Sequence, residues 1–254
     1  MRVLLYLIMM CLISIFTLFI SNQLSTKITI ERLNEIVKNT NLHVNDNCAG
    51  TLISIEKGIV LTNFHCINDK VSLINPKLVE PISIKQFEND KKIVEVVASI
   101  VAYNKINDIA ILKVTEGELK SEFASRISDK QVLPGERVWI VGNPLALYNS
   151  VGIGVISKLN VLVPGVFGSS EMTQLHGSIY PGNSGGAVYN EFGEIVGIPT
   201  KARTLSLPGI SETFTDISFV VTIESIKKIL VDTCLGSVYD SSIDDSNCEI
   251  KSVI

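Results

Sequence analysis

Residues 58–66, "GIVLTNFHC", run from a glycine through four β-branched or apolar residues to a histidine that directly precedes a cysteine. Four to eight apolar residues bounded by turn formers read as a strand covered on both faces. Similar runs lie to either side: "GTLISI", "KVSLIN", "PISIKQF", "KKIVEVVASIVAY" and "DIAILKV", between Cys48 and about Val114. A second series, "RVWIVG", "GIGVISKL", "MTQLHGSI", "GAVYN", "EIVGIPT" and "ISFVVT", extends from about Gln131 to Val221. Short strands at this spacing specify an all-β sandwich or barrel. The polar stretch 115–130 reads as a connection between the two series. "TIERLNEIVKNT" (29–40) precedes them, with Ile30, Leu33, Ile36 and Val37 at helical spacing; the alternative is a strand entering the first series. "TIESIKKILVDTC" (222–234) follows, with Ile223, Ile226, Ile229 and Leu230 on one helical face. A polar tail, 235–254, completes the chain.

With 254 residues the chain is long enough to bury a substantial core. The net charge is −4, and lysine and arginine form no dense block, so a nucleic-acid partner is not expected. Residues 3–20, "VLLYLIMMCLISIFTLFI", carry no charge and follow Arg2, a length that suits a membrane-crossing helix. The residues after it, "FISNQLSTK", make a poor signal-peptidase site, so residues 1–22 are expected to be an uncleaved anchor with the amino terminus cytoplasmic. If the segment is cleaved, the protein is secreted. Residues 23–45 are expected to be a linker with a short helix, and 46–234 the main domain.

Four of the five cysteines, Cys48, Cys66, Cys234 and Cys248, lie beyond that segment, in a compartment where disulfides persist. Two bridges are possible among them. No Cys-x-x-Cys or His-x-x-x-His pair occurs, so neither a metal nor another cofactor is expected.

"YPGNSGGAVYN" (180–190) places Ser184 between Gly182-Asn183 and Gly185-Gly186. Flanking glycines allow positive φ and close approach, so that backbone amides can point into one small space beside a nucleophile. The competing reading is a glycine-rich turn. A serine hydroxyl needs a base, usually an imidazole oriented by a carboxylate. Of the three histidines, His43 lies in a polar lead-in and His176 lies close before Ser184, whereas His65 ends an apolar strand. A Cys48–Cys66 bridge would fix the backbone beside it and stabilise the loop by about 3 kcal/mol. Asp108 opens the apolar run "DIAILKV" and supplies the acid.

Together, "LTNFHC", "NDIAILKV" and "GNSGG" resemble the motifs of the chymotrypsin-fold, trypsin-like serine peptidases. "GIVLTNFHC", "VGNPLALYNSVGIGVIS" (141–157) and "YPGNSGGAVYNEFGEIVGI" (180–198) are similar in order to the HtrA/Deg branch. The resemblance covers roughly residues 46–232. It implies two six-stranded antiparallel barrels, about 46–118 and 130–222, a closing helix at 222–234, and a cleft between the barrels. It further implies Ser184 as nucleophile, His65 as general base and acid, Asp108 as the orienting carboxylate, and the amides of Gly182 and Ser184 as the oxyanion hole. Ser178, six residues before the nucleophile, would sit at the base of the specificity pocket, where a small neutral group disfavours cationic side chains. "ISFVV" (217–221), with Ser218 and Phe219, would be the edge strand that receives a polypeptide substrate.

Two departures matter. Asn183 stands where digestive members carry an aspartate, so no ion pair with a newly cut amino terminus is expected. The chain ends shortly after its last helical segment, and no PDZ domain is expected. The function implied is a membrane-tethered serine endopeptidase acting outside the cytoplasm, on the periplasmic, extracellular or lumenal side. A second class is a catalytically silent member that binds peptides or partners. An α/β-hydrolase esterase fits "GNSGG" literally, but neither the order His, Asp, Ser nor the all-β pattern. The physiological substrate and oligomeric state are not legible.

Overall fold

A computed structural model of the protein describes residues 27–45, 47–71, 80–206, 213–246 and 248. The expected membrane segment and most of the "KVSLIN" run lie outside the described residues. Among the described residues, no helix is long and apolar enough to cross a membrane.

Helix α1, Ile30–Thr40, starts where the Thr29 side chain accepts a hydrogen bond from the Arg32 amide, an N-cap. It buries Leu33, Ile36, Val37 and Thr40. Ile30, expected on the same face, is exposed. Six strands then close an antiparallel barrel: β1 Asn41–Val44, β2 Cys48–Ser54, β3 Ile59–Thr62, β4 Ile82–Glu88, β5 Lys91–Asn104 and β6 Ile109–Glu116, in the order β1-β2-β3-β6-β5-β4. The barrel therefore begins earlier than the expected residue 46, because Asn41–Val44 pair with both β2 and β4. His43 thus lies buried on a strand, not in a polar lead-in. Strands β4 and β5 are joined through Asn89 and Asp90, both at positive φ (48° and 60°), as a two-residue hairpin of matching twist requires.

The continuous apolar runs around His65 and Asp108 have a physical basis. Strand side chains alternate between faces. On β3 and β6, Val60, Ala110 and Leu112 point into the barrel with Leu42, Leu52, Ile84 and Val96. Ile59, Leu61, Ile109 and Ile111 point outward into a second core, shared with Val141, Tyr189 and Ile198 and with both helices. Over residues 59–61 and 109–112 neither face meets water, so both are apolar.

The second series forms a seven-stranded sheet: β7 Arg126–Ile127, β8 Arg137–Gly142, β9 Ser150–Gly165, β10 Gly168–His176, β11 Ala187–Tyr189, β12 Glu194–Ser206 and β13 Thr213–Thr222. Its order is β11-β8-β9-β10-β13-β12-β7, with β11 also paired to β12. Val138, Ile140, Ile156, Leu175, Val188 and Val220 fill its core. Part of the expected polar connection is strand β7, parallel to β12. Helix α2, Ile223–Asp232, is capped by Thr222 and buries Ile223, Ile226, Ile229 and Leu230, the face expected from spacing. The fold is mostly β, with one closed barrel, a second sheet and a C-terminal helix.

Strand β13 is not the edge expected for "ISFVV". It pairs with β10 on one side and β12 on the other, so it has no free main-chain groups to offer a peptide. Ser218 is fully buried, its hydroxyl donating to the Gly177 carbonyl at 2.6 Å, and Phe219 packs with Val163 and Met172. Beyond Gly197, β13 is the one strand paired with β12 among the described residues, and the Pro199 carbonyl is taken by the Gly185 amide at 3.2 Å, so the other edge is open only past Pro199.

Candidate active site

Strand β3 ends at Thr62, and the chain then turns once as a 3-10 helix, Phe64–Cys66. Phe64 and Cys66 are buried in the barrel core, which leaves the imidazole between them turned outward. A disulfide joins Cys66 to Cys48, the first residue of β2, with Cα atoms 5.9 Å apart. On the loop-entropy estimate this bridge stabilises the fold by about 3 kcal/mol. Cys234 and Cys248 form a second disulfide that ties the tail to the end of α2. Cys48, His65 and Cys66 bring three possible metal-ligand atoms within 4.8 Å. The bridge removes both thiolates, so this set does not fit a metal.

Asp108 occupies the turn between β5 and β6 at φ 55°, a left-handed conformation that aspartate tolerates better than most residues. Its carbonyl accepts from Asn63 Nδ2 at 2.8 Å, which ties the turn to the end of β3. The carboxylate is buried and takes three donors. Oδ1 accepts from the His65 amide at 2.9 Å, Oδ2 from His65 Nδ1 at 2.8 Å, and the Thr200 hydroxyl also donates to Oδ2. Burial pushes the Asp108 carboxyl up, but the His65 ring, the Thr200 hydroxyl and the His65 amide together outweigh it and hold the carboxyl below its ordinary value. An ionised carboxylate can only accept, so the proton between the two lies on Nδ1. Nε2 is left as the basic nitrogen, facing away from the acid.

Ser184 follows β10 in a turn built on glycine. Asn183 N–H donates to the Tyr180 carbonyl at 2.9 Å, closing a turn with Gly182 at φ 98°, which favours glycine at that position. Gly185, at φ 82°, lies so close to the first barrel that a Cβ there would be 2.2 Å from the Ala49 carbonyl oxygen. The Ala49 amide donates to the Ser184 carbonyl at 2.8 Å. Ala49 adjoins Cys48, so the same corner of the barrel fixes both the histidine turn and the serine turn.

These elements surround one cleft of about 670 Å³, whose lining includes His65, Tyr180, Gly182, Ser184 and Thr200. The Ser184 hydroxyl and the imidazole share this cleft without a hydrogen bond between them. Among the described residues, no acceptor binds the amides of Gly182 or Ser184, so both donors remain open. Asn183 is buried against Gly142. Ser178 is half-buried next to Ile179, which lines the cleft, but does not itself line it. Ser218 and Phe219 are absent from the lining too.

Thr200 was not anticipated. It ends the apolar run "EIVGIPT", and a lone hydroxyl at the end of such a run is the signal that could have identified it. Its partner Asp108 is 92 positions away in the chain, so only the fold joins them.

A profile of the trypsin-like peptidase domain matches residues 48–198. The chain is 32% identical over 183 residues to an HtrA-like serine protease of Staphylococcus aureus (strain USA300), an alignment covering 68% of this chain and 21% of that protein. The corresponding protein of strain MRSA252 is 32% identical over 181 residues, covering 67% and 21%. The chain thus spans about a fifth of the length of the curated relatives it matches. Among solved structures, a serine endoprotease from Yersinia pestis superposes with a TM-score of 0.55 at 26% identity, covering 79% of this chain and 66% of that one.

Proposed function

The chain belongs to the trypsin-like peptidase family, and from that premise we propose that it is a serine endopeptidase acting through His65, Asp108 and Ser184. The carrying observation is the His65 Nδ1 to Asp108 Oδ2 hydrogen bond of 2.8 Å beside a cleft that also holds Ser184 and two open amides. In this reading, Ser184 Oγ attacks the scissile carbonyl while His65 Nε2 takes its proton. The Gly182 and Ser184 amides stabilise the oxyanion. Collapse of the tetrahedral intermediate expels the amine, which takes the proton back from His65, and an acyl-enzyme remains on Ser184. Water then repeats the sequence and releases the acid.

The substrate would add as a strand along the edge of β12 past Pro199, with Thr200 at the boundary between that edge and the cleft. Ile179, Tyr180 and Pro181 give one part of the cleft lining no charge, and the carboxylate in that lining, Asp69, already has Lys70 Nζ at 3.8 Å, which supports a preference for small or apolar residues at the cleaved position. Two disulfides suit an oxidising compartment, and with the apolar residues 3–20 they support a membrane-anchored enzyme whose catalytic domain lies outside the cytoplasm.

A fluorophosphonate probe tests the reading. Wild-type protein should be labelled on Ser184, and Ser184→Ala should not. Folded wild-type protein that resists labelling would instead be a silent peptide-binding member of the fold.

A further inference from the structure

The direction of the Gly182 amide depends on a peptide plane whose other end is tied down. Leu145 N–H donates to the Pro181 carbonyl at 3.0 Å. Since a trans peptide is planar, the Gly182 N–H in the same plane must point the opposite way, away from Leu145. Asn143 N–H holds the next carbonyl, that of Gly182, also at 3.0 Å. The backbone of the loop between β8 and β9 therefore sets two successive peptides of the serine turn.

That loop does not rest in a relaxed conformation. Leu145, Ala146 and Asn149 have φ of 52°, 62° and 59°, in the left-handed region that residues bearing a Cβ populate sparingly. Surrounding contacts must impose it, and a buried amide cluster does so. Asn41 on β1 donates from Nδ2 to Asn143 Oδ1 at 2.8 Å and to Asn149 Oδ1 at 2.9 Å. Asn143 Nδ2 donates to the Leu42 carbonyl at 2.9 Å, and its Oδ1 also accepts from the Asn149 amide at 3.1 Å. Asn149 Nδ2 donates to the Phe87 carbonyl at 2.8 Å. Asn41, Leu42 and Phe87 belong to the closed barrel, whereas residues 143–149 belong to the other half.

We propose that Asn41 and Asn143 are positioning residues: by locking the 143–149 loop onto the barrel, they keep the Gly182 amide turned into the cleft. Neither side chain lines the cleft, so they act only through the loop. The proposal rests on the hydrolytic reading above, and its test separates the two.

The experiment measures the second-order rate at which a small fluorophosphonate phosphonylates Ser184 in the full chain and in Asn41→Ala, Asn143→Ala and Asn149→Gly. The reagent's phosphoryl oxygen needs the same amide donors but makes few other contacts. The rate should fall roughly tenfold to a hundredfold in the Asn41 and Asn143 variants, the cost of a donor displaced but not deleted. With a peptide substrate, kcat should fall while KM changes by no more than about twofold. Ile229→Val, in the core around α2, serves as control: it should lower the unfolding temperature and leave the phosphonylation rate unchanged. If Asn143→Ala fails to fold, Asn41→Ala and Asn149→Gly decide, the latter keeping a backbone that tolerates positive φ. Wild-type rates in the folded asparagine variants, or a loss equal to that of Ile229→Val, would overturn the positioning role alone. An unreactive wild type would overturn the hydrolytic reading beneath it.

Discussion

The histidine turn and the serine turn face each other across one cleft, yet they are held by different kinds of force. Phe64–Cys66 is anchored by two buried side chains, a covalent bridge to Cys48, and a buried carboxylate that grips both the His65 ring and its amide. The Pro181–Gly186 turn has no covalent tie. It is held by backbone hydrogen bonds to Ala49, Asn143 and Leu145, and by the absence of side chains where the chains approach most closely. The proposed base is placed by bonds and burial, the proposed nucleophile by fit. Damage to the first should therefore appear in proton transfer and stability, and damage to the second in geometry.

Asp108→Asn probes the base side most sharply. An amide at that position no longer fixes the proton on Nδ1, so kcat should fall by about 10⁴ while the fold persists, measured as steady-state rate per folded molecule. A loss below tenfold would mean the pair does not orient the base. On the other side, Gly185→Ala inserts a methyl 2.2 Å from the Ala49 carbonyl oxygen at a backbone angle that disfavours it. Activity should fall about a hundredfold or more through displacement of Ser184. An active variant with an unshifted unfolding temperature would show that the turn relaxes freely and that fit is not what holds it.

Removing the bridge with Cys48→Ala/Cys66→Ala should cost about 3 kcal/mol in chemical denaturation. The catalytic rate of the folded fraction should fall less than in Gly185→Ala, because the Asp108 contacts still grip the imidazole. Smallest of all is the effect of Thr200→Val, which deletes one donor to the Asp108 carboxylate at a cost of about 1–2 kcal/mol at neutral pH. The sign of its pH dependence follows from the lowered Asp108 carboxyl. The stabilisation is complete above the unfolded value, near pH 4, and is lost as pH falls through the lower folded value. The deficit of Thr200→Val relative to wild type should therefore be constant at neutral pH and shrink in acid. A deficit unchanged down to pH 2 would assign it to packing instead.

These contrasts also mark what the sequence could convey. The strands around His65 and Asp108 were readable because β3 and β6 are covered on both faces, which leaves an unbroken apolar signature. Ser184 was readable because close approach forces glycine on its neighbours, and that too is written locally. Position within a sheet is not. "ISFVV" has the composition of a strand whether it lies at an edge or between β10 and β12, so Ser218 and Phe219 were assigned to a surface they do not reach. Thr200 and Asn143 matter through partners far away in the chain, and a threonine or asparagine read alone carries no trace of them. Asn41–Val44 was missed as a strand because four residues adjoining a helix give too short a period to count.

The outward faces of β3 and β6 are buried together with residues of the second sheet and both helices, so the two halves cannot swing apart as jaws without exposing that core to water. On the proposed hydrolytic reading, a peptidase on such a frame would wait for its target to open: folded proteins would slide past the groove, and a frayed end or an unravelled loop would be what it takes.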